Sequence, residues 1–445
     1  MIDVATEGLI ARLERVPFSR WHLRPRVTMG SATFFDAFDA LSLAFVLPVL
    51  VREWSMSPAQ IGWLISVGYL GQFAGALLFG ALAERFGRIR SAAGATALMS
   101  VMSLACAMTG SFSSLLALRL VQGIGVGGEM PVAAVYINEL SKAQGRGRFF
   151  LLYELIFPVG LMATGQIGAL VVPTLGWQIM FLIGGIPGLV IAALLLRLPE
   201  SPRWLIGKGR LSEAEAIISE MEGSTAVGPP LRSARAMSVT ERSGWIELLS
   251  GFYRGRTAVV WTLWASAFFI TNGLNNWMPT LYNRVYHLGL DQSLRAATLT
   301  NVAQVLLLLV CAFTIDRIGR RRWTVACFVA GAVLLATLGS FAAQSVTAVI
   351  ILVTVSYGIV GSVNAVLYLY TPEIYPTRMR AIGTGSATCW LRLSSAAGPL
   401  LVGYLVAAKG TESVFLMFAA AGVIGALAAT FMLETRNRRL EDLAP

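Results

Sequence analysis

The sequence predicts an all-α membrane protein of twelve transmembrane helices in two pseudo-symmetric six-helix bundles, and three observations carry that expectation. More than half of its 445 residues are apolar and 13% are charged, against about 25% charged in soluble domains. A water-soluble core could not hide that much apolar surface. Apolar runs of about 20 residues, long enough to cross roughly 30 Å of hydrocarbon, recur from Val27 to Leu433 with short polar breaks. Charged motifs in the first half of the chain return in the second at one offset.

The spans fall near 27–51, 59–82, 91–110, 115–140, 149–171, 178–198, 258–283, 296–315, 322–342, 346–371, 381–407 and 412–433. Residues 1–26 form an N-terminal arm, 27–198 the first bundle, 199–257 a polar linker, 258–433 the second bundle and 434–445 a tail. The arm is basic from Arg12 to Arg26 but has no short apolar core or cleavage site, so it reads as an interfacial cytoplasmic arm and not a signal peptide. In the linker, residues Leu211–Met221 have helical periodicity, and the Gly-, Pro- and Ser-containing stretch 223–238 reads as a mobile connection.

A formal charge of +11 raises nucleic-acid binding, and the positions of the basic residues exclude it. With both termini cytoplasmic, 29 of the 35 Lys and Arg lie on the inner side; two lie in spans, and Arg52, Arg284, Arg295 and Lys409 face outward. That asymmetry is the positive-inside rule. Cys106, Cys311, Cys327 and Cys389 fall within spans without metal-ligand or disulfide spacing. His22 and His287 lie outside the spans, which excludes a His-ligated metal centre in the bilayer. No nucleophile and base stand together, so a membrane enzyme is not expected, nor is any cofactor. A receptor or channel would not require two halves with gate motifs on one side.

After the second span the chain reads Gly80-Ala-Leu-Ala-Glu84-Arg85-Phe-Gly87-Arg88, and after the eighth it reads Ala312-Phe-Thr-Ile-Asp316-Arg317-Ile-Gly319-Arg320. Glu139 with Arg146 and Arg148 follows the fourth span, and Glu373 with Arg378 and Arg380 the tenth. One offset relates both motifs, the signature of a duplication with like-oriented halves. Acids and bases at helix ends can pair across helices and part when the halves rock, so Glu84, Arg85, Arg88, Glu139, Arg146, Asp316, Arg317, Arg320, Glu373 and Arg378 are candidate gate residues. Helix termination and topology anchoring would also account for such charges.

The doubled G-x-L-a-D/E-R-x-G-R loop resembles the hallmark of the major facilitator superfamily, with Glu84 in place of the usual Asp. Arg119-Leu-Val-Gln-Gly123-Ile-Gly125-Val-Gly127-Gly128-Glu129, Pro199-Glu-Ser-Pro-Arg-Trp-Leu205 and Pro372-Glu-Ile-Tyr-Pro-Thr-Arg378 look like the sugar-porter-like branch. Phe35-Asp36-Ala-Phe-Asp39, Gly127–Ala133, Tyr368–Glu373 and Arg392 with Gly398–Gly403 are similar to bacterial niacin transporters, relatives of animal organic anion and cation transporters. The resemblance implies the major facilitator fold and a proton-coupled symporter working by alternating access. It also implies a small aromatic carboxylate, nicotinate first, as substrate. The partners expected are that substrate, protons and the lipid of a bacterial inner membrane, for a multi-pass monomer with both termini in the cytoplasm. Another aromatic acid, a sugar or an organic cation stays open as substrate.

A charge at mid-span costs about 2.5 to 3.5 kcal/mol on insertion scales, so each needs a partner, a cavity or a job. Six stand there: Asp36, Asp39, Arg119, Glu129, Glu154 and Arg392. Asp36 and Asp39 share one helix face at i and i+3, where two carboxyl groups repel and lose water together. They are proton-carrier candidates, one of which could instead brace the helix start. Glu154 and Glu129 are further candidates, with Glu129 bracing neighbouring helices through Arg119 as the other reading.

Arg392 has no acid within reach on its own helix, which suits bidentate recognition of a carboxylate; an acid from another helix is the alternative. The resemblance puts a substrate-contacting Arg there, and pocket residues at Tyr153, Asn272, Asn364 and Tyr368. Asn272, Asn276, Thr280 and Asn283 form a polar stripe on the seventh span, expected to face the cavity, though interhelical hydrogen bonds would suffice for two of the four. Phe35, Phe38, Tyr153, Tyr368 and Trp390 are available as flat walls, where core packing is the other use. The string Gly123-Ile-Gly125-Val-Gly127-Gly128 matches the dinucleotide fingerprint only formally, because no strand precedes it. Gly123 and Gly127, at i and i+4, instead suit close approach of a neighbouring helix.

Overall fold

The computed structural model describes residues 2–16, 19–140, 153, 155–223, 245–342, 345–375 and 379–435. Twelve of its helices are long and apolar enough to cross a membrane. We label them α1 (Leu23–Glu53), α2 (Pro58–Phe86), α3 (Arg88–Ala107), α4 (Phe112–Glu139), α5 (Ile156–Leu175) and α6 (Gln178–Leu195), then α7 (Arg254–Arg284), α8 (Leu290–Ile318), α9 (Arg320–Thr337), α10 (Val346–Glu373), α11 (Arg380–Lys409) and α12 (Thr411–Thr430). Hydrogen bonds inside each helix are the way an unbranched segment satisfies its backbone in lipid.

Local chemistry sets the ends. Ser57 caps α2 through Gln60 N, the Gln60 side chain returns to Ser57 N at 2.8 Å, and Pro58 takes the first helical position. Gly87 and Gly319 separate α2 from α3 and α8 from α9 at φ +106° and +95°. That left-handed backbone favours glycine, which explains why both copies of the repeated motif carry one there. The helix α8 begins six residues before the expected 296, because the turn that adds Asp291 and Arg295 is too polar for a hydropathy window. Its Arg295 Nε meets Asp291 Oδ1 at 2.9 Å. The first spanning helix likewise starts at Leu23 and not at 27, with Pro25 tolerated in its first turn. The expected span 149–171 begins among residues outside the described ones.

Within the first six helices α2 packs on α4, α3 on α6 and α1 on α5; in the second six α7 packs on α11, α9 on α12 and α8 on α10. Glycines bring α2 and α4 together. A Cβ on Gly123 would overlap Gly68 of α2, one on Gly127 would overlap Gln72, and one on Gly71 would overlap the backbone of Leu120. Lipid tails are as apolar as the helices, so association depends on such close packing.

The halves meet through α2 with α11, α5 with α8 and α1 with α7. Gly62 lies against Pro399 and Leu400, Gly403 against Pro58, and Arg284 Nη1 donates to Met56 O at 2.9 Å. These contacts lie at or toward the end of the bundle away from the termini. At the other end the described ion pairs close within each half.

The N-terminal arm carries a helix, Ile2–Arg15, whose Leu9, Leu13 and Val16 are buried with Trp204, Leu205 and Ile218 of the short helices that follow α6. Arg12 donates to Glu222 at 2.6 Å, Ser219 at 3.0 Å and Glu215 at 3.1 Å, and its guanidinium holds the Glu222 carboxyl below its ordinary value. The linker helix Leu211–Gly223 expected from periodicity is present, and residues 224–244 are outside the described ones.

Burying a leucine is worth about 2 kcal/mol, whereas a partly exposed ion pair contributes about 1 kcal/mol or less. Leu13→Asp should therefore release residues 2–15 to limited proteolysis in detergent, and Arg12→Ala should do so only weakly. Equal protection of both variants and wild type would contradict this docking.

Candidate functional site

A cavity of about 680 Å³ runs from mid-bundle, at Gln304 and Tyr357, to Phe313, Ile315 and Arg320 at the end that carries the termini. Its size suits a small organic ligand. Helices of both halves line it, with Asp36, Tyr69 and Gln72 on one side and Asn272, Asn276, Asn364, Tyr368 and Arg392 on the other.

Arg392 on α11 is 7% exposed and reaches across the seam. Its Nη1 donates to Gln72 Oε1 at 2.8 Å and its Nη2 to the Gly127 carbonyl at 3.3 Å, while Nε has no acceptor. Among the described residues no carboxylate bonds to it; Asp36 lies within electrostatic reach. A buried guanidinium on neutral acceptors can take up a carboxylate that offers stronger, charge-assisted bonds.

Asp36 lines the cavity near Arg392, Glu129 and Asp39, and its Oδ1 has no hydrogen-bond partner. Asp39 sits deeper in the first half and is fully buried. It accepts from Ser103 Oγ at 2.8 Å and lies beside Arg119, whose Nη1 donates to Gln122 at 2.7 Å. The two aspartates share a helix but not an environment. Glu129 accepts from Thr33 Oγ1 at 3.0 Å. A brace through Arg119 is not what the helix allows, since ten residues at 1.5 Å each put the two about 15 Å apart along α4.

The polar stripe on α7 divides. Asn272 donates to Ser395 Oγ at 2.6 Å and Asn276 to Tyr69 OH at 3.0 Å at the cavity wall. Asn283 instead donates to Leu288 O at 2.9 Å in the turn after α7, and neither it nor the buried Thr280 lines the cavity. Asn364 donates to Thr271 Oγ1 at 3.2 Å and keeps Oδ1 unpartnered, and Tyr368 packs edge-on against Trp264 at 4.6 Å.

Four expected walls lie elsewhere. Tyr153, 1% exposed, hydrogen-bonds Thr33 behind the cavity lining. Phe35 packs on Phe34 and Phe38, and both Phe35 and the fully buried Phe38 lie away from the lining. Trp390 is 40% exposed beside Trp261 on the outer face of α11. Glu154 lies outside the described residues.

The repeated motifs build the same charged cluster twice. Arg88 bonds Glu139 at 2.9 and 3.2 Å and Glu84 at 2.9 Å, while Arg320 meets Glu373 at 3.6 Å. In each half a further carboxylate caps the helix that follows the left-handed glycine. Glu200 accepts from Arg88 N at 3.0 Å, and Glu434 from Arg320 N at 3.0 Å and Arg321 N at 3.2 Å. An anion at a helix N-terminus is stabilised by the helix dipole. Burial nonetheless pushes the Glu200 carboxyl above its ordinary value. All of these pairs lie within one half, so among the described residues the clusters brace each bundle and none of them crosses from one half to the other. Arg85 is exposed over Phe86, Arg317 is exposed, and the Asp316 side chain, Arg146 and Arg378 lie outside the described set.

Several site residues escaped sequence reasoning. Ser66, Tyr69 and Gln72 recur every three residues on α2, a stripe that would have marked its cavity and seam face. Glu434 stands 234 positions after Glu200, the offset of the other repeated charges.

Residues 28–445 match the family described as sugar (and other) transporter. A niacin transporter of Acinetobacter baylyi is 32% identical over 444 residues, spanning 98% of this chain and 99% of its own. A 4-hydroxybenzoate transporter of Pseudomonas aeruginosa is 27% identical over 370 residues, 82% of each chain. Among solved structures, the xylose transporter of E. coli in a partially occluded inward-open conformation superposes with a TM-score of 0.73 at 20% identity. It covers 95% of this chain and 100% of that one.

The left-handed glycine and its cap make distinct contributions. Gly87→Ala puts a side chain into left-handed backbone and into the Glu200 carboxylate, at a cost of about 1–2 kcal/mol or more. Glu200→Gln loses charge but not shape, about 0.3–1 kcal/mol. Thermal unfolding in detergent should therefore rank wild type above Glu200→Gln above Gly87→Ala, and a Gly87→Ala protein as stable as wild type would contradict the geometry.

Proposed function

Because the chain belongs to the sugar (and other) transporter family of the major facilitator superfamily, and is a transporter and not an enzyme, we propose that it carries a small aromatic carboxylate, nicotinate first, together with protons. The observation that carries this reading is Arg392: a buried cation on the cavity wall, bonded to two neutral oxygens and, among the described residues, to no carboxylate. The substrate carboxylate bonds its guanidinium in bidentate fashion. The ring then lies along Tyr368, with Asn272, Asn276 and Asn364 available to ring heteroatoms.

Asp36 faces the same cavity within electrostatic reach of Arg392. It takes up the proton that accompanies the anion, so that the pair crosses with its charge offset, and Asp39 serves as a deeper proton site beside Arg119. Alternating access is rocking of the two halves about the seam of α2 with α11, α5 with α8 and α1 with α7. The basic loops support cytoplasmic termini in a bacterial inner membrane, which makes this cavity inward-open, and the protein acts as a monomer. A hydroxylated aromatic acid is the second reading, favoured by the amide-rich wall and by the 4-hydroxybenzoate transporter among the relatives.

Arg392→Ala should weaken nicotinate binding at least about tenfold, the worth of a hydrogen bond to a charged group. Arg392→Lys should restore little of it, because an ammonium lacks the planar fork. Equilibrium binding to purified protein measures both, and unchanged affinity in the two variants would remove the anion site.

A further inference from the structure

Among the described residues, polar crossings tie the halves together at mid-bundle and toward the end away from the termini. Arg284 donates to Met56 O, Ser66 to Ala396 O, Asn276 to Tyr69 OH, and Arg392 to Gln72 Oε1 and Gly127 O. The last two lie within reach of a ligand, since Asn276, Tyr69, Gln72 and Arg392 all line the cavity, and of these two only the last is held by a charged side chain. Gln72 and Gly127 also belong to one unit, because the α2 and α4 backbones touch at that point, so Arg392 grips a helix pair of the opposite half.

We propose that Gln72 occupies the carboxylate site of the empty transporter, and that Arg392 latches the two halves together until a substrate carboxylate displaces the Gln72 amide. This rests on the anion site assigned to Arg392 above. Two neutral oxygens leave the buried guanidinium short of acceptors, its Nε having none. A carboxylate entering the cavity supplies an opposite charge and a bidentate pair of acceptors, which the neutral amide oxygen of Gln72 does not. Exchange of one bond for the other weakens a crossing between the halves, leaving only the longer bond to the Gly127 carbonyl. A ligand shifts a conformational equilibrium by its differential interaction with the two states, and here substrate relieves a tie that an empty carrier must break unaided. The consequence is a second activity: exchange of substrate across the membrane runs faster than net transport.

Proteoliposomes preloaded with unlabelled nicotinate should take up labelled nicotinate about tenfold faster than empty ones, the fold-change set by one hydrogen bond to a charged group. Gln72→Ala should bring that ratio close to one by accelerating uptake into empty vesicles, and should tighten benzoate binding. Gln72→Asn, one methylene shorter, does the same with less risk to packing. Gln72→Glu, which sets a fixed carboxylate against Arg392, should abolish benzoate binding. Wild-type stimulation and wild-type benzoate affinity in Gln72→Asn and Gln72→Glu, with binding still lost in Arg392→Ala, would overturn the latch and leave the anion site standing. If Arg392→Ala itself bound benzoate as wild type does, the anion site would fall and the latch with it.

Discussion

A guanidinium in the middle of the bundle, held by an amide oxygen and a backbone carbonyl of the opposite half, is the interaction on which the rest of the molecule turns. Lipid offers no water to a buried cation, so Arg392 must find oxygen somewhere. It finds it across the seam, on α2 and α4. The close glycine packing of α2 on α4 presents Gln72 and Gly127 together, and the packing of α2 on α11 brings Arg392 within reach of both. The cavity, the joint between the halves and the Arg392 guanidinium therefore share one set of atoms.

The charged clusters at the terminus-bearing end solve a different problem. Each half must turn sharply between two spanning helices, and each does so with a left-handed glycine, a carboxylate on the exposed N–H groups that follow, and an Arg–Glu pair to the neighbouring helix. Gly87 with Glu200 and Gly319 with Glu434 are the same device. Because these bonds stay inside a half, each bundle can move as a body while the seam changes.

Much of this was legible in the sequence. Span number follows from hydropathy, since lipid imposes a minimum apolar length that no loop imitates. Duplication was readable because charges at helix ends tolerate little change in spacing. Arg392, Asp36, Asn272, Asn276, Asn364 and Tyr368 meet in one cavity, and all are polar or aromatic residues where apolar ones are the rule. What sequence could not resolve is direction. Tyr153 and Phe35 sit on the right helices but turn into the packing behind the lining, and Trp390 turns outward because α11 buries the opposite face. Of the α7 stripe, Asn272 and Asn276 serve the wall, Thr280 is buried clear of it and Asn283 serves the turn beyond, a distinction set by depth and not by spacing. Gln72 was invisible as a partner because Arg392 lies 320 positions away and on the other half.

The central claim, an anion site coupled to protons, is tested most directly by uptake of labelled nicotinate into proteoliposomes under an imposed inward proton gradient, with benzoate, nicotinamide and glucose as competitors. Nicotinamide keeps the ring and loses the carboxylate, and benzoate keeps the carboxylate and loses the ring nitrogen. The account predicts accumulation that an uncoupler abolishes, blocked by benzoate and untouched by nicotinamide or glucose. Nicotinamide or glucose competing as well as benzoate, or accumulation indifferent to the uncoupler, would contradict it.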